Sequence, residues 1–171
     1  SELLWDLGLR DELVGITKFC IHPKEMFDSI ERVGGTKNLN IEKIRALKPD
    51  LIIGNKEENE QAQILELQKE FPVWMSDIYH LEDALKMIEL VGQLVNQSSK
   101  ANFIKNSIQH SFLNLQKESK TGLYLIWNKP YMAAGRATFI GEMLQKIGIQ
   151  NVLEQNSRYP ELCLDDIKAL N

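Results

Sequence analysis

Cys20 and His22 stand two residues apart, and their side chains are of the types that serve as nucleophile and base. Thiolate chemistry also needs a third group to orient the histidine, and no recognisable motif supplies one. Either residue could reach a metal, but no His-x-His, Cys-x-x-Cys or His-Glu-x-x-His spacing is present, and His80 and His110 are each alone. The plainer reading is an inert thiol and solvated histidines. Gly34-Gly35 is neither a Walker loop nor a dinucleotide fingerprint. The chain is therefore read as not an enzyme, with no catalytic residue, no metal ligand and no intrinsic cofactor. What remains is a set of flat and polar side chains suited to holding a small molecule: Phe19, Asn55, Lys56, Tyr79, Trp127, Lys129, Tyr131 and Arg136.

These residues fall where elements end. Ser1 to Gly8 reads as a short helix and Leu13 to Ile16 as a brief strand, followed from Thr17 to Thr36 mostly by loop. Asn40 caps a helix over Ile41 to Leu47 that Pro49 stops. Leu51-Ile52-Ile53 reads as a strand buried on both faces, Glu57 to Glu70 as an amphipathic helix with Ile64, Leu65 and Phe71 inward, and Val73-Trp74-Met75 as the next strand. Together they predict a right-handed parallel crossover. Loops after strand C-termini form the crevice in such sheets. That rule selects Thr17 to Pro23, Gly54 to Glu60, Ser76 to Tyr79 and Trp127 to Tyr131, and with them Phe19, Cys20, His22, Asn55, Lys56, Tyr79, Trp127, Lys129 and Tyr131.

The middle is helical. Leu81, Ala84, Leu85, Ile88, Val91 and Val95 recur at helical spacing, and Asn96 to Ser99 interrupts. A second helix, Ser99 to Glu118, carries Phe103, Ile104, Ile108, Phe112 and Leu115 on one stripe and would run roughly 30 Å, enough to join two lobes. Leu123 to Trp127 is a strand, Asn128-Lys129-Pro130 a turn, and Thr138 to Ile147 a helix stopped by Gly148. Ile149 to Val152 is a short strand or link, and a last helix starts at Leu164. The fold class is α/β: parallel-sheet lobes joined by a long helix, with an N-terminal lobe over 1–97, a connecting helix over 98–120 and a partial C-terminal lobe over 121–171. One strand cannot fill a lobe, so either the second lobe is truncated or its strand joins the first sheet.

Composition narrows the partners. Of 171 residues, 43% are hydrophobic and 26% charged, which suits an ordered globular chain. The net charge of -4 disfavours nucleic acid, which calls for a concentrated basic surface. No apolar run approaches a membrane span, and Cys20 and Cys163 lie too far apart in sequence to suggest a disulfide framework.

Two stretches carry a family likeness. Val33-Gly34-Gly35-Thr36-Lys37-Asn38, followed by Ile41 through Ile53 with its Ala46-Leu47-Lys48-Pro49-Asp50-Leu51-Ile52-Ile53, resembles the helical-backbone metal receptors. Gly135 to Leu144 and Tyr159 to Leu162 resemble the start of that family's second lobe. The resemblance implies the substrate-binding component of an ABC importer, capturing an iron-siderophore, haem or cobalamin in a cleft between two lobes. It also implies a permease as partner and a periplasmic or lipoprotein location, with membrane contact only through the transporter or a lipid anchor. A strand before Ser1 and most of the second lobe after Asn171 would then be missing. Glu58 or Glu60 would dock on transporter arginines, against the simpler reading of acids stabilising a helix N-terminus. A macrocycle would use aromatic faces; a siderophore would also use Lys129 and Arg136. Arg136 begins a helix, where a cation opposes the dipole, which favours a binding role. The family's cobalamin binder has an aromatic near Asn55 that this chain lacks. The alternatives are a cysteine/histidine-dependent α/β enzyme or a cytosolic sensor on the same fold.

Overall fold

The computed structural model describes residues 1–153 and 158–170. The chain forms two compact units: Ser1–Asp77 with Gly92–Lys100, and Ile78–Val91 with Ala101–Asn171.

The first unit opens with α1, Glu2–Asp6, which buries Trp5. Ser1 occupies the N-cap position, but its hydroxyl lies 3.1 Å from Cys20 Sγ and makes no cap bond. The strand expected at Leu13 to Ile16 reduces to a single parallel bridge between Ile16 and Arg32. The stretch read as loop contains more order than its punctuation suggests. It holds α2 (Lys24–Ser29) and β1 (Gly34–Gly35), which forms a hairpin with β2 (Asn38–Leu39) just beyond it. Pro23 stands at the N-cap of α2, where its missing N–H costs nothing. Met26 pins this six-residue helix into a cluster with Trp5 and Ile16. Six residues are too few for a helical period to show in sequence.

Asn40 caps α3 (Ile41–Leu47) as its position predicts: its side chain accepts from Lys43 N at 3.0 Å. The chain then leaves through Lys48 at φ 47. β3 (Ile52–Asn55) and β4 (Val73–Ser76) pair in parallel, Ile52 opposite Val73 through Asn55 opposite Ser76. β3 is half-buried throughout, not buried on both faces. The helix between them, α4, spans only Gln61–Leu67, four residues later than expected at its start. The acidic residues before it are held in a turn instead, because Asn55 Oδ1 accepts from the amides of Glu57 and Glu58. Leu65 is a correction: it is 53% exposed, and Ile64 and Leu67 face inward. With the helix starting at residue 61, positions 64 and 67 share the inner side. Leu67 joins Val33 and Ile44 in a core onto which Ile52, Phe71 and Val73 pack. At the rim, the Arg45 guanidinium pairs with Glu42, Glu66 and Glu70, bracing α3 against α4.

Two longer helices follow, α5 (Leu81–Leu94) and α6 (Ser98–Leu113). Leu81, Leu85, Ile88 and Val91 form the buried stripe of α5 that the sequence spacing predicts. Asn96 at φ 54 breaks the chain between the helices. α6 ends five residues before Glu118, at roughly 24 Å. Asn114 Nδ2 donates back to the His110 carbonyl at 3.0 Å, satisfying an acceptor that further helix would otherwise use. Phe103 does not join an apolar stripe: it is 75% exposed, and Ala101 is the buried residue. Lys105 Nζ meets Glu89 Oε2 at 2.9 Å, tying α6 to α5.

In the second unit the strand expected over Leu123 to Trp127 shortens to Leu125–Trp127, and an unexpected strand, Lys120–Gly122, precedes it in a different sheet. β5 (Lys120–Gly122) pairs in parallel with β8 (Ile149–Asn151). β6 (Leu125–Trp127) pairs antiparallel with β7 (Tyr131–Ala133), and β7 with β9 (Glu161–Leu162). No strand joins the first unit's sheet among the described residues, so that alternative is overturned. β5 escaped sequence reading because Lys-Thr-Gly shows no hydrophobic pattern. α7 (Phe139–Lys146) is capped by Thr138, whose hydroxyl accepts from Gly141 N. Gly148, at φ 83, then lets Glu118 N bond Ile147 O at 2.9 Å. α8 (Leu164–Ala169) starts on a capping box between Cys163 and Asp166. The architecture is α/β with a parallel pair in each unit. No described helix is long and apolar enough to cross a membrane.

Candidate functional site

In the first unit the loops at the C-terminal end of the parallel pair are stitched into one surface. Asn55 Nδ2 donates to Ser76 Oγ at 3.1 Å, and that hydroxyl donates to Gly54 O at 3.1 Å. Asn55 N donates to Asn59 Oδ1 at 2.9 Å, while Asn59 Nδ2 reaches Thr36 O at 3.1 Å. Lys37 Nζ donates to Glu57 O at 2.8 Å. Lys56 Nζ pairs with Asp77 Oδ2 at 2.8 Å, joining the loops after β3 and β4. The Lys18 ammonium sits 5.1 Å from the Phe19 ring centroid. Both side chains lie against Gly35, where an added Cβ would fall 3.2 Å from Lys18 Cε and 3.4 Å from Phe19 Cε2.

Of the anticipated residues, the structure brings Asn55 and Lys56 together, and sets Phe19 on the hairpin that Asn59 holds. Phe19 is 62% exposed and presents its ring to solvent. Asn55 spends its polar atoms inside the protein as a turn-former. Glu58 and Glu60 are exposed, and Glu60 makes no side-chain cap bond at α4. The contributors that sequence reading missed are Ser76, Asp77 and Asn59; the short polar residues flanking each strand end are the signal that could have found them.

Cys20 is half-buried, with its sulfur 3.1 Å from Ser1 Oγ and 3.3 Å from Thr17 Oγ1. Burial pushes its thiol up, but the hydrogen bonds from Ser1 and Thr17 outweigh burial, and the net result lies below the ordinary 9.0. His22 is exposed and makes no hydrogen bond to Cys20 among the described residues. The pair lacks the contact that base-activated thiol chemistry uses. No group of three or more His, Cys, Asp or Glu that could hold a metal ion occurs among the described residues.

In the second unit Tyr79 and Arg158 meet, the guanidinium carbon 4.5 Å from the tyrosine ring centroid. Arg158 O accepts from Gly135 N at 2.8 Å, so the arginine is anchored beside the turn that carries Arg136. Arg136 is a correction: it lies in a turn two residues before the Thr138 cap, not in the first turn of α7, so the dipole argument falls away. Its Nη2 donates to Asn151 O at 3.2 Å. Trp127 is 63% exposed and is no core residue. Lys129 turns the β6–β7 hairpin at φ 72, and Tyr131 is half-buried on β7. Trp127 and Tyr131 flank that hairpin.

Carboxylates fix the loop that carries Tyr79. Asp83 Oδ2 accepts from Tyr79 N at 3.0 Å and His80 N at 2.8 Å, capping the start of α5. Glu142 Oε2 accepts from Leu81 N at 2.6 Å, and its other oxygen meets Lys146. The amides of Tyr79 and then His80 hold the Asp83 carboxyl below its ordinary 3.8. A depressed folded value means that the cap stabilises above about pH 3.8 and is lost as pH falls through the lower folded value. Asp83→Ala should therefore lower the melting temperature at pH 7, with the gap from wild type closing as titration proceeds below pH 3.8. A gap independent of pH would refute the carboxylate as its source.

The arrangement in both units offers flat rings, cations and preset loops. A family model described as periplasmic binding protein matches residues 1–171, and the chain belongs to that family. The chain is 26% identical over 184 residues to the ABC transporter substrate-binding lipoprotein YvrC of Bacillus subtilis, covering 100% of this chain and 58% of the relative. It is 26% identical over 175 residues to the vitamin B12-binding protein of Vibrio parahaemolyticus, covering 98% and 63%. The chain thus spans about three-fifths of the length of these curated relatives. Its fold is that of the periplasmic vitamin B12 binding protein BtuF of Vibrio cholerae, with TM-score 0.82, 23% identity and 99% and 69% coverage. It is equally that of the periplasmic heme-binding protein RhuT from Roseiflexus, with TM-score 0.86, 18% identity and 99% and 69% coverage.

Proposed function

We propose that the whole protein is the substrate-capturing component of an ABC importer and carries a metal chelate of the iron-siderophore, haem or cobalamin kind. Membership of the periplasmic binding protein family along the full 171 residues carries this reading. The geometry supports it. Loops at the strand ends of the first unit are locked in place by Asn55, Asn59 and Lys56, and they present Phe19 as a flat apolar face. In the second unit Tyr79, Trp127, Lys129, Tyr131 and Arg136 supply rings and cations for the same purpose, and in the first unit the exposed Glu58 and Glu60 are the residues we assign to permease docking. The protein works outside the cytoplasmic membrane, in a periplasm or on a cell surface, as its relatives' names suggest for them. It performs no chemistry on its cargo; Cys20 bonded to two hydroxyls, with no hydrogen bond to His22 among the described residues, favours that reading over a thiol enzyme.

The test is thermal unfolding of the complete protein with haem, cyanocobalamin or a ferric siderophore. A chelate present at 100 times its dissociation constant should stabilise by about 2.7 kcal/mol, and a coloured one should co-purify. No shift with any of the three would reject the proposal.

A further inference from the structure

Resting on that reading, we infer that Asn59 is the positioning residue of the first unit's cargo surface: it touches no cargo itself, and its amide clamps the β1–β2 hairpin to the loop after β3 and so fixes where the ring of Phe19 stands. The hairpin cannot hold itself. It has two paired positions, Gly34 with Leu39 and Gly35 with Asn38, and so short a ribbon is marginal in water. Its turn is held from outside. Asn59 Nδ2 donates to Thr36 O at 3.1 Å and Asn59 Oδ1 accepts from Asn55 N at 2.9 Å, so one half-buried amide joins the turn to the end of β3. Two further bonds run from Lys37 Nζ to Glu57 O at 2.8 Å and from Leu39 N to Gln63 Oε1 at 3.1 Å. Lys37 reaches its acceptor on a long exposed stem, and Gln63 bonds the β2 side. Asn59 bonds the residue next to Gly35.

Gly35 is the link to the ring. A Cβ added there would fall 3.2 Å from Lys18 Cε and 3.4 Å from Phe19 Cε2, so both side chains rest on bare backbone. Lys18 N also donates to Gly34 O at 2.8 Å, which bonds the segment carrying Phe19 to the same strand. A shift of Thr36 therefore moves the floor beneath Phe19. Gly54 makes room for the clamp, since a Cβ there would fall 3.0 Å from Asn59 Oδ1. The two partners also fix which way the amide faces: the N–H of Asn55 needs an oxygen, and the carbonyl of Thr36 needs an NH2. A carboxylate of the same shape satisfies the first and fails the second, which separates the clamp from the local turn.

The experiment uses the complete protein in wild type, Asn59→Asp, Asn59→Ala, Phe19→Ala, and each Asn59 variant combined with Phe19→Ala. Amide hydrogen exchange reads the hairpin without cargo. Asn59→Asp should speed exchange at Lys18 N, bonded to Gly34 O, by about 10-fold or more, and leave Ile52 N, bonded to Pro72 O, unchanged. Titration with haem, cyanocobalamin and ferric desferrioxamine reads the grip. Asn59→Asp should weaken whichever binds wild type about 5- to 20-fold, and less than about 2-fold once Phe19 is alanine, because residues acting through one contact are not additive. Asn59→Ala loses both bonds, should weaken binding at least as much, and carries the test if Asn59→Asp does not fold. Unchanged exchange at Lys18, or equal losses of affinity with and without the Phe19 ring, would overturn the inference and leave the carrier reading standing. Failure of all three probes to bind wild type would overturn both.

Discussion

Gly141→Ala should destabilise the second unit by about 3 kcal/mol, the upper end for forcing a group into a packed site. The residue sits in the first turn of α7, beneath the Gly135–Arg136 turn. A Cβ there would fall 2.5 Å from Gly135 O, 2.7 Å from Arg136 O and 2.9 Å from Arg136 Cα. All three are backbone atoms, so no side chain can swing aside. The turn is held down by Thr138, which donates to Gly135 O at 2.7 Å and accepts from Gly141 N at 3.0 Å, and both bonds would break if it lifted. Lifting it would also pull on Gly135 N, which holds Arg158. The variant should therefore lose roughly 10 °C of melting temperature. A melting temperature within about 2 °C of wild type would show that the close approach is not there.

Leu67→Ala should cost about 2–5 kcal/mol. Leu67 is fully buried beside Val33 and Ile44, and the half-buried side chains of Ile52, Phe71 and Val73 close around it. Removing its three outer carbons leaves a cavity that a hairpin, a helix and two strands cannot all collapse into. Leu65→Ala, two positions away and 53% exposed, is the control and should change stability by about 0.5 kcal/mol or less. Equal effects of the two substitutions in chemical denaturation would refute the assignment of the inner face of α4.

The contrast between those two leucines also shows where sequence reading succeeds and where it stops. The Asn40 cap, the Pro49 stop and the apolar run before Gly54 act through neighbours in the chain, so α3, β3 and β4 were visible in advance. The stripe of α5 was visible for the same reason, fourteen residues being long enough to show a period. The inner face of α4 was not, because it depends on where the helix begins, and a side-chain bond from Asn55 decides that. α2 and β5 were invisible because one is too short and the other too polar to leave a pattern; each is held by partners distant in sequence. Among the proposed site residues, Phe19, Lys56 and Tyr79 follow from the rule that strand ends carry function. Asn59 does not, since only the tertiary bond to Thr36 gives it a part.

The bond pattern around Asn55 and Asn59 has a thermodynamic consequence. Each amide side chain serves as both donor and acceptor within the protein, to Ser76, Thr36 and neighbouring backbone N–H groups. The loop between them is thus held in place by the protein's own bonds, and on the proposed reading capture would cost little further loop or rotamer entropy there. On the proposed reading, such preorganisation makes affinity sensitive to residues that never touch the visitor, Asn59 among them.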